Sequence, residues 1–395
     1  MPDSQSNQLI FRCRKFDIQN ELEAISSVVD KKSKDEIYAC IYFTRSTSGS
    51  IMMAASSREL MVLTSIKVDS DKLLVNDPVS TGEKLAMAVN AERLLAICRK
   101  LPDRIIEFIY DKTQIRVLVR CDKSHYTLAC QEPTFFPAIT FPEVSDFSYR
   151  IPLRFFQSAI RSAIALVVGD TESPYVFYSG VLVVLSKKIL TIIATDGCRM
   201  MTSYTTLETD KEFTVILPRK ILSELNTTLE KCQLALLNLE ITPNHAFFNF
   251  GKYTYCSSIL AGNFPNYHVL LETIYKENTN QYRINRSKLQ AALERCLVFV
   301  DKKQGFGVNI DFKEKELVVS GASQTGDSAF EIVEAECSHP FSVRLNGQYL
   351  KEYLETIQDE YTDLWLNNEL TMKPILARSQ SDRNYSWILQ VMERM

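Results

Sequence analysis

The chain has 395 residues, 46% of them hydrophobic and 24% charged, the mixture of a globular protein and not of a fibrous or disordered one. Its 45 Lys and Arg against 48 Asp and Glu leave a net charge of −3, which excludes a grip on nucleic acid through bulk positive charge, so any such contact must come from local placement of cations. Ten cysteines, no two closer than nine residues, and only four histidines exclude a zinc knuckle or a Cys-x-x-Cys redox site and suit buried thiols in a reducing compartment.

In the first third, the pattern predicts a strand over 10–15, a helix over 17–29, a strand over 38–43, the strand-like runs IMMAAS and ELMVLTSI, a helix in VNAERLLAICRKL and a strand over 125–130. The second third opens with the strand FSYRI and a helix over 152–168 whose apolar face is Ile160, Ile164 and Val167. Strands over 181–185 and 189–194 follow, joined by the turn Ser186-Lys187-Lys188, then a strand over 200–205, a helix in LPRKILSELNTTL and a strand over 253–259. The last third gives strand then helix in YRINRSKLQAALERCLVFV, a hairpin turning at Lys313-Glu314-Lys315, a strand over 329–335 and a helix in LNGQYLKEYLETI. The start is polar and no apolar run approaches the roughly 18 residues of a membrane span, so a cytosolic place and no membrane partner are expected.

Three of these helices keep a fixed interval: VNAERLLAICRKL, LPRKILSELNTTL and LNGQYLKEYLETI begin at 89, 217 and 345, each 128 residues after the last. Each opens on an apolar residue, places Asn or Pro at the start of the helix, and repeats Leu or Ile at three- and four-residue spacing. Phe136-Pro137 recurs 128 residues on as Phe264-Pro265. The expected fold is therefore α+β, three similar domains at 1–143, 144–275 and 276–395, each with two helices packed on antiparallel sheets. Three such domains in a row leave two open ends whose unpaired sheet edges invite pairing, and a head-to-tail homodimer would close them into a ring.

The segment TIIATDGCRMM over 191–201, with Pro218-Arg219-Lys220, Asn263-Phe264-Pro265-Asn266-Tyr267 and ICRKLP over 97–102, closely resembles the bacterial sliding clamp, the beta subunit of DNA polymerase III, whose motifs read ATDGHRL, PRK, FPDY and ICRGLP. The resemblance runs the whole length. It implies the DNA clamp fold and a homodimeric ring that double-stranded DNA threads without regard to sequence. It also implies the DNA polymerase III alpha subunit, the clamp loader and other clamp-binding-motif proteins as partners, no cofactor, no metal and no catalysis, in the cytoplasm with the nucleoid. DNA-facing cations are then expected at Arg93 and Lys100, at Arg154, Arg161, Arg219 and Lys220, and at Arg286, Lys288, Arg295, Lys302 and Lys303.

In that family a hydrophobic cleft between the second and third domains receives short peptides. The matching positions are Tyr178, Thr195, Gly197, Cys198, Arg199, Met200, Pro265, Val269 and Leu270, completed by Tyr349, Leu370, Met372, Leu389, Val391 and Met392. The dimer contact matches Tyr126 and Leu128 on a strand edge, and Val298 and Phe299 at the first helix of the third domain. Three departures stand out: Cys198 replaces a His, Val269 replaces an Arg, and the ending LQVMERM replaces VMPMRL. They motivate a second reading, a diverged clamp-like paralogue serving a mobile element, repair or regulation. A third, an enzyme built around Asp196, lacks a second acid or a base at a characteristic spacing, and a Thr-Asp-Gly turn more often spends its carboxylate on local backbone.

Overall fold

The computed structural model describes residues 8–46, 50–68, 86–137, 148–167, 176–337, 339–367 and 373–393. In chain order, the first third supplies β1 (Gln8–Arg14), α1 (Lys15–Ile25), β2 (Cys40–Arg45), β3 (Ile51–Ser56), β4 (Leu60–Ile66), β5 (Ala86–Asn90), α2 (Ala91–Lys100), β6 (Ile105–Asp111), β7 (Arg116–Cys121) and β8 (Ser124–Gln131). The middle supplies β9 (Ser148–Pro152), α3 (Leu153–Leu166), β10 (Gly180–Ser186), β11 (Ile189–Thr195), β12 (Arg199–Thr206), β13 (Phe213–Pro218), α4 (Arg219–Leu229), β14 (Leu236–Ile241), β15 (His245–Phe250), β16 (Tyr253–Ser258) and α5 (Tyr267–Glu277). The last third supplies β17 (Asn278–Asn285), α6 (Arg286–Leu297), β18 (Gly307–Phe312), β19 (Glu316–Ala322), β20 (Ser328–Cys337), β21 (Phe341–Asn346), α7 (Gly347–Thr356), β22 (Tyr361–Asn367), β23 (Ile375–Ser379) and β24 (Tyr385–Leu389).

One order, strand, helix, four strands, helix, three strands, thus occurs three times, with α5 inserted after the second copy. The helix starts follow from local chemistry. Asn90, Asn285 and Asn346 each accept a backbone N–H from three residues on, at Arg93, Lys288 and Tyr349, which satisfies a donor the first helical turn leaves over. Pro218 stands directly before α4. The turn at Lys187-Lys188 has both residues at positive φ, the geometry of a two-residue hairpin whose twist matches its strands. Helix α1 ends at Ile25, short of the predicted stretch, where the Ser26 N–H closes the last turn on the Leu22 carbonyl and β-branched Val28 and Val29 turn into the core.

The chain divides into two compact units, Met1–Leu153 with Thr227–Ile259, and Arg154–Asn226 with Leu260–Met395. Among the described residues each holds one antiparallel sheet of twelve strands. In the first unit the order is β1-β6-β7-β8-β5-β2-β3-β4-β16-β15-β14-β9, and in the second β13-β10-β11-β12-β24-β23-β22-β17-β20-β19-β18-β21. Each sheet is therefore three four-stranded blocks joined by shared strand pairs, such as Leu60 opposite Ser257 in the first and Arg199 opposite Leu389 in the second.

Helices pack on these sheets in pairs, α1 against α2 and α6 against α7. In the first unit the core stacks Phe11 on Phe108 with ring centroids 4.7 Å apart and Phe43 beside them. Its buried Glu21 accepts a hydrogen bond from Thr64 and pairs with Lys252, so the carboxylate is compensated where it leaves water. The second unit centres on Leu182, Ile193, Met200, Ile216, Tyr267, Ile274, Leu376 and Ile388. No disulfide joins any of the ten cysteines. Burial pushes the thiols of Cys98 and Cys130 up to about 12, the behaviour of small core hydrophobes.

Candidate functional site

The TDG segment forms the hairpin turn between β11 and β12. Thr195 Oγ1 accepts the Gly197 N–H at 3.1 Å and donates to the Arg199 carbonyl at 2.7 Å. The Asp196 carboxylate accepts the backbone N–H groups of Cys198 and Arg199 at 2.9 and 3.0 Å and the Arg199 Nε–H at 2.9 Å. It is a structural anchor, with all of these bonds holding the turn.

Arg199 does not reach outward. Its side chain is 7% exposed; beyond Asp196 the guanidinium pairs with Glu352 of α7 and donates to the Ala165 carbonyl near the end of α3 at 3.1 Å. It lies over the Tyr349 ring, 4.0 Å from the centroid. Arg199 thus positions the turn against α3 and α7, and Tyr349 is the ring it rests on. Burial raises the Tyr349 phenol, with Asp196 adding to the shift.

Gly197 is forced by geometry. Its φ of +89° is a region L side chains avoid, and a Cβ there would lie 2.7 Å from Tyr178 Oη. Tyr178 packs edge-on against Phe177 at 4.4 Å, and Phe177 reaches Phe264 at 6.0 Å, which leads into Pro265 and α5. Replacing Gly197 by Ala is expected to cost about 1–3 kcal/mol through backbone strain and the displaced tyrosine. Thermal unfolding checks this, and a variant as stable as the parent would contradict it.

The other residues expected at the cleft differ in exposure. Met200 and Leu389 are buried, Met200 in the second unit's core cluster. Pro265, Val269 and Leu270 are exposed at the start of α5, and Cys198 is exposed on the turn, its thiol raised by burial first and by Asp196 second. The carboxyl-terminal stretch lies beside the turn: Gln390 N–H donates to the Cys198 carbonyl at 3.0 Å, Val391 bridges Leu345, and Met392 N–H donates to the Arg344 carbonyl at 2.8 Å. Leu370 and Met372 lie outside the described residues. Helix α5 is absent from the elements expected from sequence, where the motif ends at Tyr267, although Tyr267, Leu271 and Ile274 recur at helical spacing and pack into the core.

Of the cations expected to face DNA, Arg93, Lys100, Arg154, Arg161, Arg219, Lys302 and Lys303 are exposed and Lys220 is half-buried. Arg154, Arg219, Lys220, Arg286, Lys288 and Arg93 all sit in the first turn of a helix, where the macrodipole opposes positive charge, so helix stability does not explain their placement. Arg219 donates to the Ile164 carbonyl at 3.4 Å, and the cations of α6 have partners of their own. Arg286 turns inward onto the Asp359 and Leu354 carbonyls, while Lys288 pairs with Glu334 and Arg295 with Glu331 of β20, both at 2.7 Å. These acids mute α6.

Strand edges form the third feature. β8 pairs with β7 over 124–129 and meets β5 at Cys130 and Gln131, so among the described residues its other edge is open over 124–129, where Tyr126 is exposed and Leu128 half-buried. β20 pairs with β19 over 328–334 and with β17 over 335–337. Its outward face carries Phe330 at 65% and Ile332 at 56% exposure, and just after α6 Val298 and Phe299 are both exposed, Val298 at 78%. Phe330 and Ile332 escape a reading of the sequence, because apolar alternation in a strand reads as a core-facing stripe. Among the described residues no group of His, Cys, Asp or Glu is placed to hold a metal ion.

Comparison with known proteins matches three family models in series. They are the N-terminal domain of the DNA polymerase III beta subunit over residues 9–140, its central domain over 150–266 and its C-terminal domain over 272–392. The Beta sliding clamp of Buchnera aphidicola subsp. Rhopalosiphum padi is 24% identical over 388 residues, 96% of this chain and 100% of that protein. That of Haemophilus influenzae is 26% identical over 284 residues, 71% of this chain and 74% of its own length. The crystal structure of the DNA polymerase III subunit beta from Pseudomonas aeruginosa superposes with a TM-score of 0.86 at 18% identity, covering 98% of this chain and all of that one, a likeness of fold.

Proposed function

This chain belongs to the DNA polymerase III beta-subunit family, and from that premise we propose that it is a DNA sliding clamp, a non-catalytic subunit that encircles duplex DNA and tethers the polymerase for processive synthesis. The observation that carries the reading is the threefold recurrence of one element order under three successive family models. Its domains are taken as 1–143, 144–275 and 276–395. A closed ring is linked to DNA by topology, so it needs only weak phosphate contacts, which carry no sequence information and permit sliding. Cations at the starts of α2, α3 and α4 supply such contacts, in keeping with a net charge of only −3.

Ring closure uses a second copy, head to tail: the open edge of β8 with Tyr126 and Leu128 in one chain meets the face of β20 and the end of α6, with Phe330, Ile332, Val298 and Phe299, in the other. Sedimentation at micromolar concentration is expected to give twice the chain mass, falling to one chain in a Tyr126→Asp, Val298→Asp double variant. A monomeric parent would contradict the reading.

The turn at Thr195–Gly197, the start of α5 and the carboxyl end form the peptide groove that receives the DNA polymerase III alpha subunit, the clamp loader and other clamp-binding-motif proteins in turn. Adaptable Met and Leu surface suits the Leu and Phe side chains of such peptides. No helix among the described residues is long and apolar enough to cross a membrane, and a clamp of this kind works in the cytoplasm, at the nucleoid. The second reading, a diverged paralogue, draws on Cys198, Val269 and an ending that runs Leu389-Gln390-Val391-Met392-Glu393 without the family proline. Growth of cells relying on this chain as their sole clamp separates the two.

A further inference from the structure

The hairpin between β3 and β4 in the first unit repeats the backbone hydrogen bonds of the turn between β11 and β12, with different side-chain bonds. Ser57 N–H donates to the Leu60 carbonyl at 2.7 Å as Asp196 N–H donates to the Arg199 carbonyl at 3.3 Å. Ser258 N–H donates to the Glu59 carbonyl at 2.9 Å as Gln390 N–H donates to that of Cys198 at 3.0 Å. Ser56 stands opposite Met61 as Thr195 stands opposite Met200. Tyr38 lies in a short helical turn as Tyr178 does, and Pro137 follows Phe136 as Pro265 follows Phe264. Here the side chains enclose a cavity of about 230 Å³ with Tyr38, Met61, Pro137, Phe247 and Cys256 as its apolar lining and Ser57 as a polar one.

We propose that this cavity is a second docking site, taking a short extended peptide that inserts one large apolar side chain and carries no net charge at the contact. The inference rests on the reading of the first groove as a peptide site. The volume is below that of a drug-sized pocket and fits a side-chain anchor. Charge selects the partner. Where the first groove has Gly197 and Cys198, this one has Arg58 and Glu59, one of each sign at the rim, and Arg58 holds Asp35 at 3.3 Å while its side chain stays 69% exposed. His245 completes the rim. A uniformly acidic or basic segment would meet one like charge, whereas a neutral Gln-x-x-Leu-Phe type sequence meets none. Leu60 in place of Arg199 also removes the need for a buried ion pair beneath the turn.

Titration of the intact chain with a Gln-x-x-Leu-Phe type peptide is expected to saturate at two peptides per chain. Glu59→Trp, at an exposed rim position, fills the cavity without touching the core, and Met61→Lys charges its floor; each is expected to remove one equivalent by weakening it about thirtyfold. Leu270→Lys removes the other. One equivalent that disappears in Leu270→Lys and is untouched by Glu59→Trp and Met61→Lys overturns the second site and leaves the first. One equivalent with the reverse sensitivity keeps the second site and overturns the first, and a parent that binds no peptide overturns both.

Discussion

Replacing Arg199 by Ala is expected to lower the unfolding free energy by about 3–5 kcal/mol and to abolish binding of a Gln-x-x-Leu-Phe type peptide. The guanidinium is buried between two carboxylates, Asp196 and Glu352, whose side chains are themselves largely covered. Removing it strands both charges and leaves the Ala165 carbonyl and the Tyr349 face without their partner. The turn at 195–199 then loses its tie to α3 and α7, and with it the geometry of Gly197 and Cys198. Glu352→Gln keeps a hydrogen-bond acceptor and is expected to cost less, about 1–3 kcal/mol. Urea unfolding with peptide titration reads both effects; an Arg199→Ala chain within about 1 kcal/mol of the parent would mean that Arg199 is a surface ligand residue and not the positioning residue described above.

Neutralising Arg154, Arg161, Arg219 and Lys220 together is expected to weaken association with duplex DNA and to flatten its salt dependence. Each phosphate that no longer meets a cation takes about 0.9 from the slope of log K against log salt, so four such phosphates take about 3 to 4. The effect should be uniform across sequences, since phosphate contacts position without reading bases. Two α6 cations give a comparison, because their partners are carboxylates. Lys288 and Arg295 are already paired with Glu334 and Glu331, so replacing them by Gln should change the slope far less. Measuring binding to short duplexes between low and physiological salt checks this, and an unchanged slope in the quadruple variant would remove the lining assignment.

Much of the fold is legible in the sequence because it depends on local chemistry. Asn90 and Asn346 mark helix starts, Lys187-Lys188 a tight hairpin, and a repeat interval of 128 residues makes each copy evidence for the others. Helix α5 is equally local, but its first residue, Tyr267, also closes the Phe264–Tyr267 motif, and that motif hides the helix start. What is not legible depends on distant partners. Arg199 reads as a groove contact until Glu352, 153 residues away, is seen to hold it inward. Arg286, Lys288 and Arg295 read as exposed helix cations until β20 and the segment after α7 bring acids and carbonyls to them. Phe330 and Ile332 look like a core stripe because strand alternation reports that one face is apolar, not which way it points. The matching hairpins at 56–60 and 195–199 share almost no residue types, so their likeness lies in backbone bonds that composition does not record.

The central claim is that this chain holds DNA by encirclement. The most direct measurement loads the protein onto a nicked circular duplex with its clamp loader, then cuts the circle once and follows the protein that remains. Retention on the circle with rapid loss after the cut is the predicted result, because a ring slides off a free end. Equal loss before and after the cut, or equal retention on both forms, would contradict it.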